Sequence, residues 1–323
     1  MFEGLEVRDL PTERGAIHAR VGGSGPPLLL LHGYPETHLM WHGAAPALAE
    51  RFTVVATDLS GYGDSLRPAP AADHAPHSKR AMALDQIQAM ASLGFARFAV
   101  AGHDRGGRVA YRMALDHPDR VSALAVLDIV PTAEVWARAD DRLALGYWHW
   151  GFLAQPAPLP ERLIAGDPDA YFDYHLRSIG LDREPGRYPE SVIAAYRAQL
   201  RDAGTIEAIC EDYRAGASID RVIDEVDWGR PIECPVLVLW GTRGALPLFY
   251  GDVLDVWRSW ARDVRGRGID ASHFLVEDRP DEVARELTAF FCDGPGLGVP
   301  GPGVPGPGVP GPGVPGRGGP GPP

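Results

Sequence analysis

Residues 98–108 read Phe-Ala-Val-Ala-Gly-His-Asp-Arg-Gly-Gly-Arg, and this stretch decides the fold. The four apolar residues at its start predict a buried strand, and the segment 109–117 that follows has a helical pattern. Between them, Gly102, Asp104 and Gly106 form the pattern Gly-x-nucleophile-x-Gly, which is typical of a tight strand-to-helix turn. Larger side chains beside the nucleophile would collide with the strand and the helix. We therefore expect this nucleophile elbow to push the carboxylate of Asp104 into a pocket.

Short apolar runs alternate with helical patterns along the chain, which predicts an α/β fold with a mostly parallel sheet flanked by helices. Each run is near-continuous rather than alternating, as expected for strands that are covered on both faces. The runs are residues 27–31, 52–57, 98–101, 124–127 and 236–240, and a last strand is expected near 264–269. Polar residues gather just after the runs, where open α/β sheets bind their ligands.

The strand rhythm stops between residues 131 and 231, where the sequence has helical patterns rich in tryptophan and tyrosine. This interruption predicts a helical cap, 131–231, inserted over a core formed by 1–130 and 232–292; such a cap would exclude water from the site beneath it. The segment 293–323 repeats Gly-Pro-Gly-Val-Pro three times in frame from Gly301. It lacks the apolar bulk that would offset the entropy of ordering, so we predict a disordered, elastin-like tail without a catalytic part.

Composition excludes several classes of function. The chain of 323 residues has a net charge of −12 and a single lysine, Lys79, which argues against nucleic-acid binding. Its three cysteines, Cys210, Cys234 and Cys292, are odd in number and far apart, so neither a disulfide framework nor a metal knuckle is indicated. The N-terminus has no basic region followed by an apolar stretch, and no run of about 18 apolar residues occurs. We expect a cytoplasmic protein that does not bind a membrane.

A carboxylate nucleophile at Asp104 is suited to attack on an sp³ carbon with displacement of a leaving group, which gives an alkyl ester of the enzyme. Hydrolysis of that ester requires a general base for water and donors for the oxyanion. His273 is the expected base, because it lies in the loop between the last strand and a final helix near 280–291, last in chain order.

A third group should orient the imidazole of this base and stabilise its charged form. The segment 241–244, Gly-Thr-Arg-Gly, offers no acid after its strand, whereas Asp128 ends the preceding core strand and would be costly as an unpaired buried carboxylate. We therefore predict Asp128 as the acid. The expected oxyanion donors are the backbone N–H groups of Arg105, after the nucleophile, and of Tyr34, in the turn after the early strand.

Arg105 and Arg108 follow the nucleophile and are three residues apart on one helix face. Two guanidinium groups beside the reacting carbon would form an anion site, which predicts a substrate that bears a carboxylate. The alternative is that both arginines pair with structural acids.

Residues from about 20 to 291 resemble the haloacetate (fluoroacetate) dehalogenases of the α/β-hydrolase superfamily. The segments that carry the resemblance are 32–38, 103–106, 127–132, 149–156 and 210–216. The resemblance implies Asp104 as nucleophile, Asp128 as acid, His273 as base, Arg105 and Arg108 as the carboxylate clamp, and His149, Trp150 and Tyr213 as the halide site. The activity it implies is hydrolysis of a 2-haloacid to a 2-hydroxy acid and halide. No metal or organic cofactor is implied, and the oligomeric state is left open, with a homodimer as one option.

One departure from the family concerns Ile179, which aligns with a cap tryptophan that the family uses near substrate and halide. Isoleucine has no indole donor, so a bulkier or chlorinated acid becomes a plausible substrate.

Two other functions stay open. An epoxide hydrolase would use the same two steps and would need two cap hydroxyl donors, which Tyr213 and one of Tyr147, Tyr171 or Tyr174 could supply; Arg105, where such enzymes usually carry tryptophan, counts against it. A non-catalytic ligand-binding protein of the same fold is the second alternative. The presence of nucleophile, acid and base together argues against that alternative.

Overall fold

The computed structural model describes residues 1–179 and 188–293, without the side chains of Ile179 and Asp293. The tail expected at 293–323 therefore lies outside the described residues, apart from Asp293 at the end of the last helix. Within the described ranges, no helix combines the length and apolar character needed to cross a bilayer.

Eight strands form one sheet in the order β1-β2-β4-β3-β5-β6-β7-β8. Their bounds are β1 Leu5–Thr12, β2 Gly15–Gly23, β3 Pro27–Leu31, β4 Thr53–Thr57, β5 Phe98–His103, β6 Val121–Leu127, β7 Val236–Gly241 and β8 Val264–Ile269. β2 pairs antiparallel with both β1 and β4, and every other neighbouring pair is parallel. The predicted fold class is confirmed.

The five strands expected from the apolar runs and the last strand expected near 264–269 are all present. Every residue of β5 and β6 is buried, as a strand covered by helices on both faces requires.

β1 and β2 were not anticipated from the sequence. Most residues of β1 are exposed, and only Leu5 and Leu10 are buried. An edge hairpin of this kind carries no continuous apolar run, so the criterion that found the central strands does not detect it.

Fifteen helices lie in the described ranges. Their bounds are α1 Ala45–Ala49, α2 Lys79–Ser92, α3 Asp104–Asp116, α4 Thr132–Ala137, α5 Asp141–Gly146, α6 Trp148–Leu153, α7 Leu159–Gly166, α8 Pro168–Ile179, α9 Glu190–Gln199, α10 Ala203–Ala217, α11 Ile219–Val226, α12 Leu246–Tyr250, α13 Val253–Arg258, α14 Leu275–Asp278 and α15 Pro280–Asp293. Short 3₁₀ helices span His38–His42 and Ala75–His77.

The described residues between β6 and β7 form the helices α4 to α11 and no strand. The helical character expected for this part of the chain is therefore observed. The division into core and cap at residues 131 and 231 stays a prediction. α3 begins at Asp104 itself, earlier than the segment 109–117 that the pattern suggested. The nucleophile candidate thus stands at the first position of a helix.

Candidate active site

The turn between β5 and α3 has the tight geometry that the sequence pattern predicts. Asp104 has φ +44°, in the left-handed region that side chains other than glycine rarely adopt. A Cβ atom at Gly106 would lie 2.4 Å from the carbonyl oxygen of His32, and one at Gly102 would lie 2.4 Å from the carbonyl oxygen of Gly106. The two glycines are therefore required by close packing on both sides of the strained aspartate.

The carboxylate of Asp104 is buried and already held by a backbone donor. The Tyr34 N–H donates to Asp104 Oδ1 over 3.0 Å, which is the position expected for an oxyanion donor. Burial opposes ionisation of Asp104, but four neighbouring groups outweigh it and hold the pKa of the carboxyl well below its usual range. In decreasing order of effect, these groups are His273, His103, Arg105 and Arg108. Asp104 is therefore a carboxylate at neutral pH, as a nucleophile must be. The hydrogen bond expected from the Arg105 N–H stays a prediction.

His273 lies between the two aspartates that the sequence assigned to it. Its Nδ1 is 2.6 Å from Asp128 Oδ2, and its Nε2 is 4.0 Å from Asp104 Oδ2. Asp128 Oδ1 also accepts the N–H of Gly241 over 2.9 Å, which fixes the carboxylate. In the neutral imidazole, an Nδ1–H donated to Asp128 leaves the lone pair on Nε2. That lone pair faces the side of the site where Asp104 lies.

Arg105 forms a buried ion pair with Asp212. Its Nε and Nη2 donate to the two carboxylate oxygens of Asp212 over 2.8 and 2.7 Å, and its guanidinium lies over the Tyr213 ring at 4.1 Å. Asp212 also accepts from Lys79, and all three charged side chains are buried. Arg105 thus pairs with a structural acid, which was the alternative considered from the sequence. Its expected binding of a substrate carboxylate stays a prediction.

Arg108 has a different environment. Its Nη1 donates to the Val130 carbonyl over 2.9 Å and to Thr132 Oγ1 at 3.2 Å, and its guanidinium lies 4.6 Å from the centre of the Trp150 ring. No carboxylate of the described residues pairs with it, and its buried Nε has no hydrogen-bond partner among them. A buried cation without an acid is a strong site for an anionic ligand.

The three residues expected at the halide site come together beside the nucleophile turn. The ring centres of His149 and Tyr213 are 5.8 Å apart, and those of Trp150 and Tyr213 are 6.1 Å apart. All three side chains are buried. His149 Nδ1 and the Tyr213 hydroxyl have no hydrogen-bond partner in the described structure. The side chain of Ile179, the departure noted in the sequence, lies outside the described residues.

A cavity of about 250 Å³ lies at this site, and most of the groups described above line it, although Arg105 and Tyr213 do not. Its wall contains Asp104, Asp128 and His273 together with Arg108, and on the helical side Tyr147, His149, Trp150 and His175. The structure therefore brings the predicted nucleophile, the predicted base and a guanidinium without an acid partner to one small space.

The family model of the α/β hydrolase fold matches residues 26–280. The chain belongs to the α/β-hydrolase fold family. It is 47% identical over 293 residues to a fluoroacetate dehalogenase from Burkholderia sp., and the match covers 91% of this chain and 96% of that relative. The family resemblance inferred from the motifs is confirmed by this match.

Two other relatives lie within the same fold family. A soluble epoxide hydrolase from Corynebacterium sp. (strain C12) is 33% identical, over 85% of this chain and 93% of its own. A solved structure from Nostoc sp. PCC 7120, described as an α/β hydrolase, has a TM-score of 0.87 at 47% identity, covering 90% of this chain and 99% of that one.

Sequence reasoning missed three residues that bear on the site of this α/β hydrolase. Asp212 accepts hydrogen bonds from Arg105 and forms an ion pair with Lys79, and His175 lines the cavity. The position of Asp212 directly before Tyr213 in a family segment was the one available signal. No sequence signal pointed to Lys79 or His175, because only the fold brings α2 and α8 to the candidate site.

Two further histidines hold the backbone around the site. His32 Nε2 accepts the Leu59 N–H over 2.9 Å, and its Nδ1 is 2.8 Å from the Gly33 carbonyl. His103 lies between Glu36 Oε2 and the His273 carbonyl, each at 2.9 Å. His103 therefore supports the loop of the base, and neither imidazole lines the cavity wall described above.

Proposed function

We propose that the protein hydrolyses a small 2-haloacid to a 2-hydroxy acid and halide through an ester on Asp104. The single observation that carries this proposal is that the wall of one cavity of about 250 Å³ contains both the ionised carboxylate of Asp104 and the guanidinium of Arg108, which has no acid partner. A nucleophile for carbon and a cation for a carboxylate are the two groups that a haloacid requires.

In the first step, a carboxylate oxygen of Asp104 attacks the α-carbon of the haloacid. The carbon–oxygen bond of an ester forms as the carbon–halogen bond breaks, and the halide leaves with the bonding electron pair. The unpaired donors of His149 and Tyr213, with the Trp150 indole beside them, would stabilise the charge that develops on the halogen.

In the second step, His273 Nε2 takes a proton from water, and the resulting hydroxide attacks the Asp104 carbonyl carbon. The oxyanion forms at the oxygen that the Tyr34 N–H contacts, 3.0 Å away. Asp128 stabilises the imidazolium across the 2.6 Å contact with Nδ1. Collapse of the intermediate breaks the ester bond between the Asp104 carbonyl carbon and the alkoxide oxygen, and the His273 imidazolium returns its proton to that oxygen to give the 2-hydroxy acid. The regenerated Asp104 carboxyl loses a proton to solvent, and one of its oxygens comes from water.

Substrate recognition in this proposal depends on charge. Arg108 offers free donors to the carboxylate, while Arg105, although paired with Asp212, adds positive potential next to Tyr213. The 47% identity to a fluoroacetate dehalogenase supports a carbon–halide hydrolase.

The direct test is halide release from fluoroacetate, chloroacetate and bromoacetate, measured with an ion-selective electrode. We expect release from at least one of them by the wild-type protein and none by Asp104→Asn. Absence of release from all three acids would defeat the proposal.

Epoxide hydrolysis is the second candidate, favoured by the 33% identical soluble epoxide hydrolase and by Tyr147 in the cavity wall. Tyr147 and Tyr213 could together provide two hydroxyl donors to an epoxide oxygen. The acid-free Arg108 in the same wall argues against it, because an uncharged epoxide offers no partner for a buried cation. Turnover of styrene oxide with haloacids inert would reverse the order of the two proposals.

A further inference from the structure

His175 is a buried histidine that the proposed reaction has not used. It lies on α8, its side chain is 1% exposed, and it belongs to the cavity wall. Neither of its ring nitrogens has a hydrogen-bond partner in the described part of the chain. A buried imidazole normally satisfies at least one of its two nitrogens, so both are available to a ligand.

His175 is part of a local cluster of unsatisfied polar atoms. The ring of His175 is centred 4.7 Å from that of His149 and 4.8 Å from that of Tyr34, and the Tyr34 and Tyr213 rings are 5.5 Å apart. Four buried atoms lack partners here: both nitrogens of His175, Nδ1 of His149 and the hydroxyl of Tyr213. Because each unsatisfied buried group is destabilising, four together indicate a place that a ligand completes.

The chemistry of the cluster selects an anion. Burial, together with the electrostatic effects of His149 and His273, lowers the pKa of His175 well below its ordinary value, so its imidazole is neutral and carries one N–H donor. Burial likewise raises the pKa of Tyr213 well above its ordinary value, so its hydroxyl keeps its proton. Asp104 is the nearby carboxylate and acts on both groups electrostatically, but no acceptor among the described residues takes a hydrogen bond from either. Protonated donors that lack an acceptor suit a small anion.

We propose that His175 is a fourth donor to the leaving halide, next to His149, Trp150 and Tyr213, and that it determines which halogen the enzyme removes. This inference rests on the proposed dehalogenation. In the transition state the imidazole N–H of His175 points to the departing halogen as the carbon–halogen bond breaks, and no proton is transferred.

The place of His175 in the site supports this role. Its side chain belongs to the same cavity wall as Asp104, His149 and Trp150, so a small ligand in this cavity lies next to all four.

Halide binding tests the subsite without any turnover. The experiment compares three proteins that all carry Asp104→Asn, which removes the repulsion of the nucleophile: the single variant, the same with His175→Phe, and the same with His175→Gln. Binding of chloride is read from the width of its NMR signal. Phenylalanine keeps the ring packing without a donor, and glutamine restores an N–H donor. Thermal unfolding midpoints of all three check that they are folded.

We expect His175→Phe to weaken chloride binding on the order of 10- to 100-fold, as the loss of a hydrogen bond to a charged partner implies, and His175→Gln to recover most of it. Equal binding by the phenylalanine variant and its parent would overturn the proposal. Absence of chloride binding by the parent would also overturn it, because the cluster would then not be an anion site.

Kinetics in the otherwise wild-type chain test the specificity claim. His175→Phe should reduce kcat/KM for fluoroacetate by about 10- to 100-fold and for bromoacetate by less, because a departing fluoride concentrates its charge more and needs donors more. An equal loss with both acids would contradict a role in halogen selection. If the wild-type protein released no halide at all, the proposed function would fail, whereas the chloride measurement would still decide whether His175 helps to form an anion site.

Discussion

At the scale of single residues, Asp104 combines a strained backbone with a carboxylate that its surroundings keep ionised. Its φ of +44° places it in a conformation that costs on the order of 1–3 kcal/mol, and such strain persists only where neighbouring structure enforces it. The glycines on both sides and the Tyr34 N–H provide that enforcement. The low pKa keeps Asp104 in the ionised form that the proposed attack requires.

Removal of the base should separate the two chemical steps. In His273→Ala the alkylation of Asp104 needs no base, whereas hydrolysis of the ester does, so the ester should accumulate. We expect intact-protein mass spectrometry after incubation with a haloacid to find one added carboxymethyl group, located on the peptide that contains Asp104. The matched control, Asp104→Asn with the natural His273, should carry no adduct. Reversible binding of the haloacid without an adduct would instead indicate a non-catalytic binder.

The convergence of Asp104, Asp128 and His273 was predictable because each follows an expected strand, in the chain order typical of this fold; their catalytic roles stay a prediction. Asp104, Asp128 and His273 meet as that order requires. The partner of Arg105 was not predictable in the same way, because Asp212 lies inside helix α10, where no strand end marks its place. Sequence patterns identify which charges exist, and only the fold determines which of them neutralise one another.

At the scale of elements, α10 brings Asp212 under the nucleophile turn, where it accepts from both Arg105 on α3 and Lys79 on α2. Loss of one partner from a buried ion pair leaves an uncompensated charge. We expect Asp212→Asn to lower the free energy of unfolding by about 3–5 kcal/mol, measured by urea denaturation.

A surface pair provides the control for this variant. Asp169 bonds to Arg201, and its side chain is 47% exposed. We expect Asp169→Asn to change the free energy of unfolding by no more than about 1 kcal/mol. Similar decreases in the free energy of unfolding of the two variants would mean that the buried ion pairs stabilise the fold no more than a surface pair does.

The turn after β3 and helix α14 meet through two buried acids, Glu36 and Glu277. Burial raises the pKa of Glu36 to about 7, and burial together with the Glu36 charge raises that of Glu277 well above its ordinary value. A folded-state pKa above the unfolded value means that the protonated form favours the fold. The contribution is therefore complete below about pH 4.5 and is lost as the pH rises through about 7.

Replacement of Glu36 by its neutral analogue tests this linkage. Between about pH 5 and pH 8, the wild-type protein should lose on the order of 1–3 kcal/mol more unfolding free energy than Glu36→Gln, as measured by urea denaturation at both pH values. The exposed Glu50→Gln serves as control and should follow the wild type. Parallel pH profiles for wild type and Glu36→Gln would contradict the buried acid pair as the cause.

At the scale of the whole molecule, the sequence predicted six of the eight strands and the helices that interrupt them. Five of these strands, β3 to β7, lie inside the sheet and are mostly buried, so their apolar runs are long enough to detect. The sixth, β8, is a partly exposed edge strand, and it was expected from its place before the final helix. β1 and β2 escaped detection because one antiparallel edge hairpin contributes only scattered buried residues such as Leu5 and Leu10. The pattern of apolar residues along a sequence reflects which residues are buried. A half-exposed element therefore gives a weaker pattern than a buried one.

The segment after Asp293 should be dispensable. Its sequence contains no acid, histidine, cysteine or hydroxyl group, so it offers no reactive side chain to the reaction. We expect a chain that ends at Asp293 to keep the kcat/KM and the thermal unfolding midpoint of the full chain. A large fall in kcat/KM of the shortened chain would assign a role to the Gly-Pro-Val repeats.

The most direct test of the central claim follows oxygen from solvent into the nucleophile. A single turnover is carried out in heavy-oxygen water with protein in excess over the haloacid, and the peptide that contains Asp104 is then examined by mass spectrometry. Hydrolysis of an aspartyl ester at its carbonyl carbon predicts that the label enters the Asp104 carboxylate and that the 2-hydroxy acid formed in this turnover carries none. Label in the 2-hydroxy acid, with none in Asp104, would mean that water attacks the α-carbon directly and would contradict the account.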